Sequence, residues 1–278
     1  MPPPAPANAR HLARILAGLA LGSLGGAGFA AAGLPLPWML GALTLTMAAV
    51  LSGLPIAGPM RLRPAIVAVI GVLLGARFTP EVLGQLPQMG LSLIVLAVYL
   101  AAVAALVVPY YRLVGRQDWI TAYFCGMPGG LSEMVELGEA RGADVPAIVL
   151  AHSLRIVLTI GLMALVFRSL MGAPATAPPV ALALPGWTDA ALMIGCAVAG
   201  AALGKALRLP APSFLGPLIL SAAAHLTSLT EGAPPAPVVI AAQVALGTIL
   251  GCRFQGIGAA KVLRAGVLGL GATLLTLP

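Results

Sequence analysis

The chain has 278 residues, 60% of them hydrophobic and only 8% charged, with a mean hydropathy of +1.03. A soluble domain carries about 25% charged residues, so this sequence lacks the polar skin that water demands and reads as an all-α polytopic membrane protein whose solvent is the lipid bilayer. The formal net charge of +7 comes from basic residues set singly or in pairs between apolar runs, with 5% aromatics and no basic stripe, which excludes nucleic acid as the expected partner and makes these residues topology signals.

Residues 1–11 form a short tail. The first apolar run, 12–33, holds Gly18, Gly22 and Gly26 at small-xxx-small spacing, which lets another helix approach closely. Arg10 and Arg14 ahead of apolar sequence look like a secretory signal. The internal repeat described below needs this segment, so it is read as retained. Leu34-Pro-Leu-Pro-Trp-Met-Leu-Gly41 opens the next run, 36–53, and places prolines where a helix tolerates them, in its first turn. Runs 64–76 and 89–110 follow, the former ending in Arg77-Phe78.

Polarity concentrates in residues 119–155. Pro128, Gly129 and Gly130 cannot continue a helix, because proline removes a donor and paired glycines favour irregular backbone. At membrane depth such a break survives only where protein or a water-filled cavity covers it. A new helix is expected near Leu131, its unpaired N–H groups facing the break and suited to an anion or polar solute. Glu133 and Glu136 fall on one face of that helix with Ser132 beside them, presenting two carboxylates to a cation or proton path. The alternative is that they offset the helix dipole or, with Glu139 and Arg141, belong to a wet loop.

Run 145–168 carries His152 and Arg155 three residues apart, hence on one face. An arginine within a span is costly and points to a cavity or a carboxylate, here Glu133 or Glu136. Otherwise Arg155 snorkels to an interface and His152 is a hydrogen-bonded core residue. A linker, 171–186, precedes runs 187–206, 211–229, 238–252 and 262–278. At about 1.5 Å rise per residue most of the runs suffice for a hydrocarbon core of about 30 Å, 64–76 and 238–252 being short.

Two motifs recur. Leu209-Pro-Ala-Pro-Ser-Phe-Leu-Gly216 matches Leu34–Gly41, and Gly247-Thr-Ile-Leu-Gly-Cys-Arg-Phe254 matches Gly71–Phe78, in the same order and within one residue of the same offset. That is the signature of a duplication, with repeat 1 over 12–170 and repeat 2 over 187–278. With the N-terminus in the cytoplasm, a re-entrant 119–139 leaves only Arg77 and Arg168 outside, whereas a crossing segment spoils the basic bias. The expected fold is therefore about nine transmembrane segments plus one re-entrant broken helix, in two inverted repeats. A second Gly/Pro break would fall beyond Pro278, so the second repeat reads as incomplete, to be completed by further chain or by a second subunit in a homodimer. Arg77 and Arg253 occupy matching positions, as interface anchors or as charges beside a central cavity, and Gln243 is the lone amide of its run.

The LPxPxxLG…GxxLGxRF unit with Pro128-Gly-Gly-Leu-Ser-Glu-Met134 and the later Ala151-His-Ser-Leu-Arg155 resembles the AbrB membrane family of Gram-negative bacteria, which shares only a name with the soluble DNA-binding AbrB regulators. The resemblance spans about residues 20–260. It implies two copies, an inner-membrane location, and family positions at Pro128, Gly129, Gly130, Leu131, Glu133, Met134, His152 and Arg155. The family carries the labels regulator and ammonia monooxygenase.

The leading expectation is a secondary transporter or exporter of a small polar or anionic solute, coupled to protons or cations, with the site at Pro128, Gly129, Gly130, Ser132, Glu133, Glu136, His152 and Arg155, and with Arg77, Gln243 and Arg253 as secondary candidates. The alternative is a membrane regulatory or sensor protein acting on gene expression indirectly. A monooxygenase fits less well, because His11, His152 and His225 have no metal-ligand spacing; no metal, cofactor or catalytic residue is expected. Cys125, Cys196 and Cys252 lie in or beside apolar runs and read as small buried hydrophobes.

Overall fold

The computed structural model describes residues 7–34, 36–171, 186–209 and 211–276; the linker 172–185, the tail residues 1–6, Pro35, Pro210 and the side chains of Ser132, Glu133 and Glu136 are among those outside it. The regular secondary structure among the described residues is all helical, as the composition demands. The helices are α1 (Ala7–Ala31), α2 (Pro37–Leu51), α3 (Arg63–Gly75), α4 (Pro80–Leu113), α5 (Trp119–Gly126), α6 (Leu131–Glu139), α7 (Val145–Met171), α8 (Trp187–Ala206), α9 (Pro212–Leu226), α10 (Ala236–Cys252) and α11 (Ala259–Thr276). A 3-10 turn, Met60–Leu62, precedes α3. Three stretches, Arg10–Ala31, Met89–Leu113 and Trp187–Ala206, are long and apolar enough to cross a membrane, consistent with a membrane protein. Several boundaries move outward from the hydropathy runs: α1 takes in part of the expected tail, and α4 begins nine residues before run 89–110.

The chain folds as two compact units, Met1–Pro87 with Thr176–Cys252, and Gln88–Ala175 with Arg253–Pro278. In the first unit α1 packs on α2 and α8 on α9, while α3 lies against α9 and α10 against α2. Glycines permit these approaches. A Cβ on Gly41 would strike the backbone of Gly25, and one on Gly216 would strike the backbone of Gly200, positions 175 apart in each case. On α3, a Cβ at Gly71 would sit 2.6 Å from the carbonyl of Phe214; on α10, a Cβ at Gly247 would meet the carbonyl of Met39. Gly75 and Gly251 repeat the pattern against Leu218 and Leu43, at 2.6 and 2.8 Å. Where α3 meets α10, Ile66, Ala242 and Ile249 form a buried cluster flanked by Val69, Ile70, Ala245 and Leu246.

The proline motifs behave as helix starts. Pro37 and Pro212 stand in the first turns of α2 and α9, where a missing N–H costs nothing. Each is preceded by a left-handed residue, Leu36 at φ 44° and Ala211 at φ 50°, so both carry the strain of an L-residue in that region.

The second unit holds the remainder of α4 with α5, α6, α7 and α11. Helix α7 packs against α11, α6 and α5. Val107, Val108 and Tyr111 of α4 are buried, and Gly126 at the end of α5 brings its backbone against Val108. Tyr99 donates from its hydroxyl to the carbonyl of Thr276 at 2.6 Å, and Arg264 to that of Gly115 at 3.3 Å, tying α11 to α4 and to the turn that follows it.

Candidate functional site

The expected break is present. Helix α5 stops at Gly126, Met127 is extended at ψ 131°, and α6 resumes at Leu131, so Pro128, Gly129 and Gly130 form the interruption. A Cβ on Gly129 would lie 2.8 Å from the methyl of Met134, so the glycine lets the backbone fold over the first turn of α6. Helices of eight and nine residues rise only about 12–14 Å each, less than half of a hydrocarbon core.

Helix α7 brings His152 and Arg155 to the last turn of α5. His152 is fully buried and its Nε2 lies 2.8 Å from the carbonyl oxygen of Phe124. That oxygen can only accept, so the ring proton sits on Nε2 and Nδ1 keeps its lone pair. Arg155 Nη2 donates to this Nδ1 at 3.0 Å. The histidine is thus a hydrogen-bonded core residue, and it also aims the guanidinium. Among the described residues it is the polar partner of Arg155; the expected pairing with Glu133 or Glu136 lies outside them, as does the side chain of Ser132. One residue along, the Ser153 hydroxyl is buried without a hydrogen-bond partner.

A chain of polar contacts beside this pair escaped the sequence reading. Asp118 caps α5, its Oδ1 accepting the Thr121 N–H at 2.9 Å. The Thr121 hydroxyl in turn accepts the Asp144 N–H at 2.9 Å, Asp144 Oδ1 accepts the Ala147 N–H at 3.3 Å at the start of α7, and its Oδ2 meets Lys261 of α11 at 2.8 Å. Thr121, by its hydroxyl first and its backbone N–H second, holds the Asp118 carboxyl below the usual carboxylate range. An acid immediately before each helical run was the available signal. The ion pair is solvent-exposed and contributes little; the caps matter more.

Arg77, exposed just past α3, and Gln243, half-buried in α10, belong to the first unit, whereas Arg253 is half-buried at the start of the last stretch of the second. Among the described residues no group of three His, Cys, Asp or Glu side chains is arranged to hold a metal ion. Cys125 and Cys196 are buried and Cys252 is half-buried, all as free thiols.

These observations define an all-helical chain with membrane-spanning character and a broken helix beside a buried imidazole that holds a half-buried guanidinium. The chain belongs to the AbrB family, whose profile, described as "Transition state regulatory protein AbrB", matches residues 38–277. It is 28% identical over 240 residues to a curated protein of Escherichia coli (strain K12), provisionally named "regulator AbrB", the match taking in 82% of this chain and 66% of that relative. The chain therefore spans just under two thirds of the relative's length. No solved structure matches it.

Proposed function

We propose that the protein is a polytopic inner-membrane secondary transporter or exporter of a small polar solute, with its N-terminus in the cytoplasm and its solute site at the α5–α6 break. The observation that carries this reading is the anchoring of His152 and Arg155 to the last turn of α5, immediately before Pro128, Gly129 and Gly130. Ionisable groups buried within apolar helices mark solute or ion paths, and broken helices supply the backbone groups that bind there. The matched contacts of α3 on α9 and α10 on α2 support an origin in two copies, and the basic-residue bias supports their inverted arrangement. Glu133 and Glu136, on the same short helix, are the carboxylates for a coupling proton or cation.

The test is binding of a metabolite panel to detergent-purified protein by thermal shift, with wild type beside Glu133→Gln and Arg155→Ala, followed by flux of the stabilising compound in proteoliposomes. A compound that stabilises wild type and neither variant, and that crosses the membrane only with the protein present, is the expected result. Absence of flux across the panel overturns the reading.

The names carried by the family and by its E. coli relative favour a second reading, a regulatory membrane component. Among the described residues the connections between helices are too short to fold as a separate DNA-reading domain, and in this reading the effect on gene expression is indirect. A stable protein partner without solute flux would select it.

A further inference from the structure

The first unit contains an apolar groove of about 750 Å³, lined by Leu19 and Ser23 of α1, Trp38 of α2, Leu62 of the 3-10 turn and Ala65 of α3, and by the repeat-related Val238 and Ala241 of α10. Its size suits a single small ligand or chain. The solute pathway proposed above, in the other unit, makes no use of it.

One end of the groove is basic and the other is not. The backbone N–H of Ala57 donates to the carbonyl of Arg14 at 3.1 Å, which sets the segment carrying Arg61 beside the turn of α1 that carries Arg14, one turn after Arg10. Arg10, Arg14 and Arg61 are all exposed there. Leu62, next to Arg61, already lines the groove, and so does Leu19, little more than a turn beyond Arg14. From that end the groove follows α1 to Ser23 and Trp38, the latter packed near Gly26. The nine residues from Arg14 to Ser23 rise about 14 Å, close to half of a hydrocarbon core of about 30 Å, the depth of a single leaflet. The positions matching Arg61 and Arg63 in the second copy are Pro237 and Val239, so the far end has no equivalent charge.

We propose that this groove binds one acyl chain of an anionic phospholipid, with the headgroup phosphate on Arg14 and Arg61 and the chain running along α1 towards Trp38. The proposal rests on the membrane reading above, not on transport. A slot of one leaflet's depth, apolar along its length and basic at one mouth only, has the shape and charge of a single oriented lipid. Clusters of arginine at the mouth of an interhelical pocket attract anionic headgroups at roughly 1 kcal/mol per side chain, about fivefold in affinity.

The test uses the whole chain in lipid nanodiscs, with Trp119→Phe and Trp187→Phe leaving Trp38 as the reporter. Phosphatidylglycerol or phosphatidylcholine with brominated chains is added at low mole fraction in unbrominated phosphatidylcholine, and quenching of Trp38 is read. The expected result is quenching at several-fold lower mole fraction of brominated phosphatidylglycerol, a preference that drops about fivefold for Arg14→Gln and again for Arg61→Gln. Ala241→Phe, which fills the groove, should reduce quenching by both lipids; Ala65→Phe serves if that variant fails to fold. Equal quenching by the two lipids, or a preference untouched by the arginine variants, overturns the proposal and leaves ordinary boundary lipid in the groove. Quenching of Trp119 and Trp187, both exposed, in the Trp38→Phe variant reports insertion into the bilayer separately, so a failure of the membrane reading is distinguishable from a failure of the lipid site.

Discussion

Gly75→Ala and Gly251→Ala are expected to destabilise the protein to the same degree, although they lie in different helices and 176 positions apart. A Cβ on Gly75 would stand 2.6 Å from the Leu218 carbonyl, 2.6 Å from the Ser221 Cβ and 2.9 Å from the Ala222 nitrogen; on Gly251 it would meet the Leu43 carbonyl at 2.8 Å, the Met47 nitrogen at 2.9 Å and the Thr46 hydroxyl. The residues struck correspond one to one between the two copies. Ordinary contact begins near 3.4 Å, so the backbones must part by about 0.8 Å on one side and about 0.6 Å on the other. Backbone atoms cannot turn aside as a side chain can, and overpacking of this kind costs about 1–3 kcal/mol. Gly195→Ala is the control: nothing lies within 4 Å of its Cβ, and alanine in place of a helical glycine should stabilise by about 0.5–1 kcal/mol. Equilibrium unfolding in mixed micelles, followed by circular dichroism, separates the three. If Gly75→Ala or Gly251→Ala unfolds with wild type, or if the two differ by more than about 2 kcal/mol, the matched packing of α3 on α9 and α10 on α2 is wrong.

Other perturbations bear on neighbouring features. Ser221→Ala removes the buried hydroxyl that donates to the Val72 carbonyl at 3.0 Å, an oxygen that keeps its bond from the Ala76 N–H, so the loss in unfolding free energy should be only about 0.5–1.5 kcal/mol. Leu36→Gly and Ala211→Gly each relieve a left-handed L-residue and should raise thermal stability by up to about 1 kcal/mol; a lower melting temperature in both would contradict the strain. Asp118→Ala should lose the side-chain cap of α5 and cost about 0.5–2 kcal/mol near neutral pH. Because the folded carboxyl is held below its ordinary range, the contribution of its charge is present above that range and fades as pH falls through the depressed folded value, so the gap between wild type and Asp118→Ala should narrow in acid. A gap that widens in acid would refute the assignment.

Periodic and punctuating residues were the legible part of the sequence. Pro37 and Pro212 announced helix starts, Pro128-Gly129-Gly130 announced the break, and the glycines at 18, 22 and 26 announced close contacts. A one-dimensional pattern does not say which helix a glycine faces, and here each third helix packs on the second helix of the other copy. The same limit applies to the site. Spacing placed His152 and Arg155 on one face, but the bond that fixes the imidazole comes from Phe124, a backbone carbonyl 28 residues away that no side-chain pattern encodes. Asp118 and Asp144 were readable as caps by their place before Trp119 and Val145; their link through Thr121 was not, since it joins two helices through one hydroxyl.

The crossing of third helices has a consequence for synthesis. Helix α3 ends at Gly75 and the helix that covers its glycine face begins at Pro212, about 140 residues later, which at about 5–20 residues per second is a delay of roughly 7–30 s. During that interval the glycine stripe of α3, and the face of α2 that receives the glycines of α10, stand without their partners. The first unit is thus completed late, when α9 and α10 arrive, and a chain arrested before them carries two ready-made adhesive surfaces into the membrane.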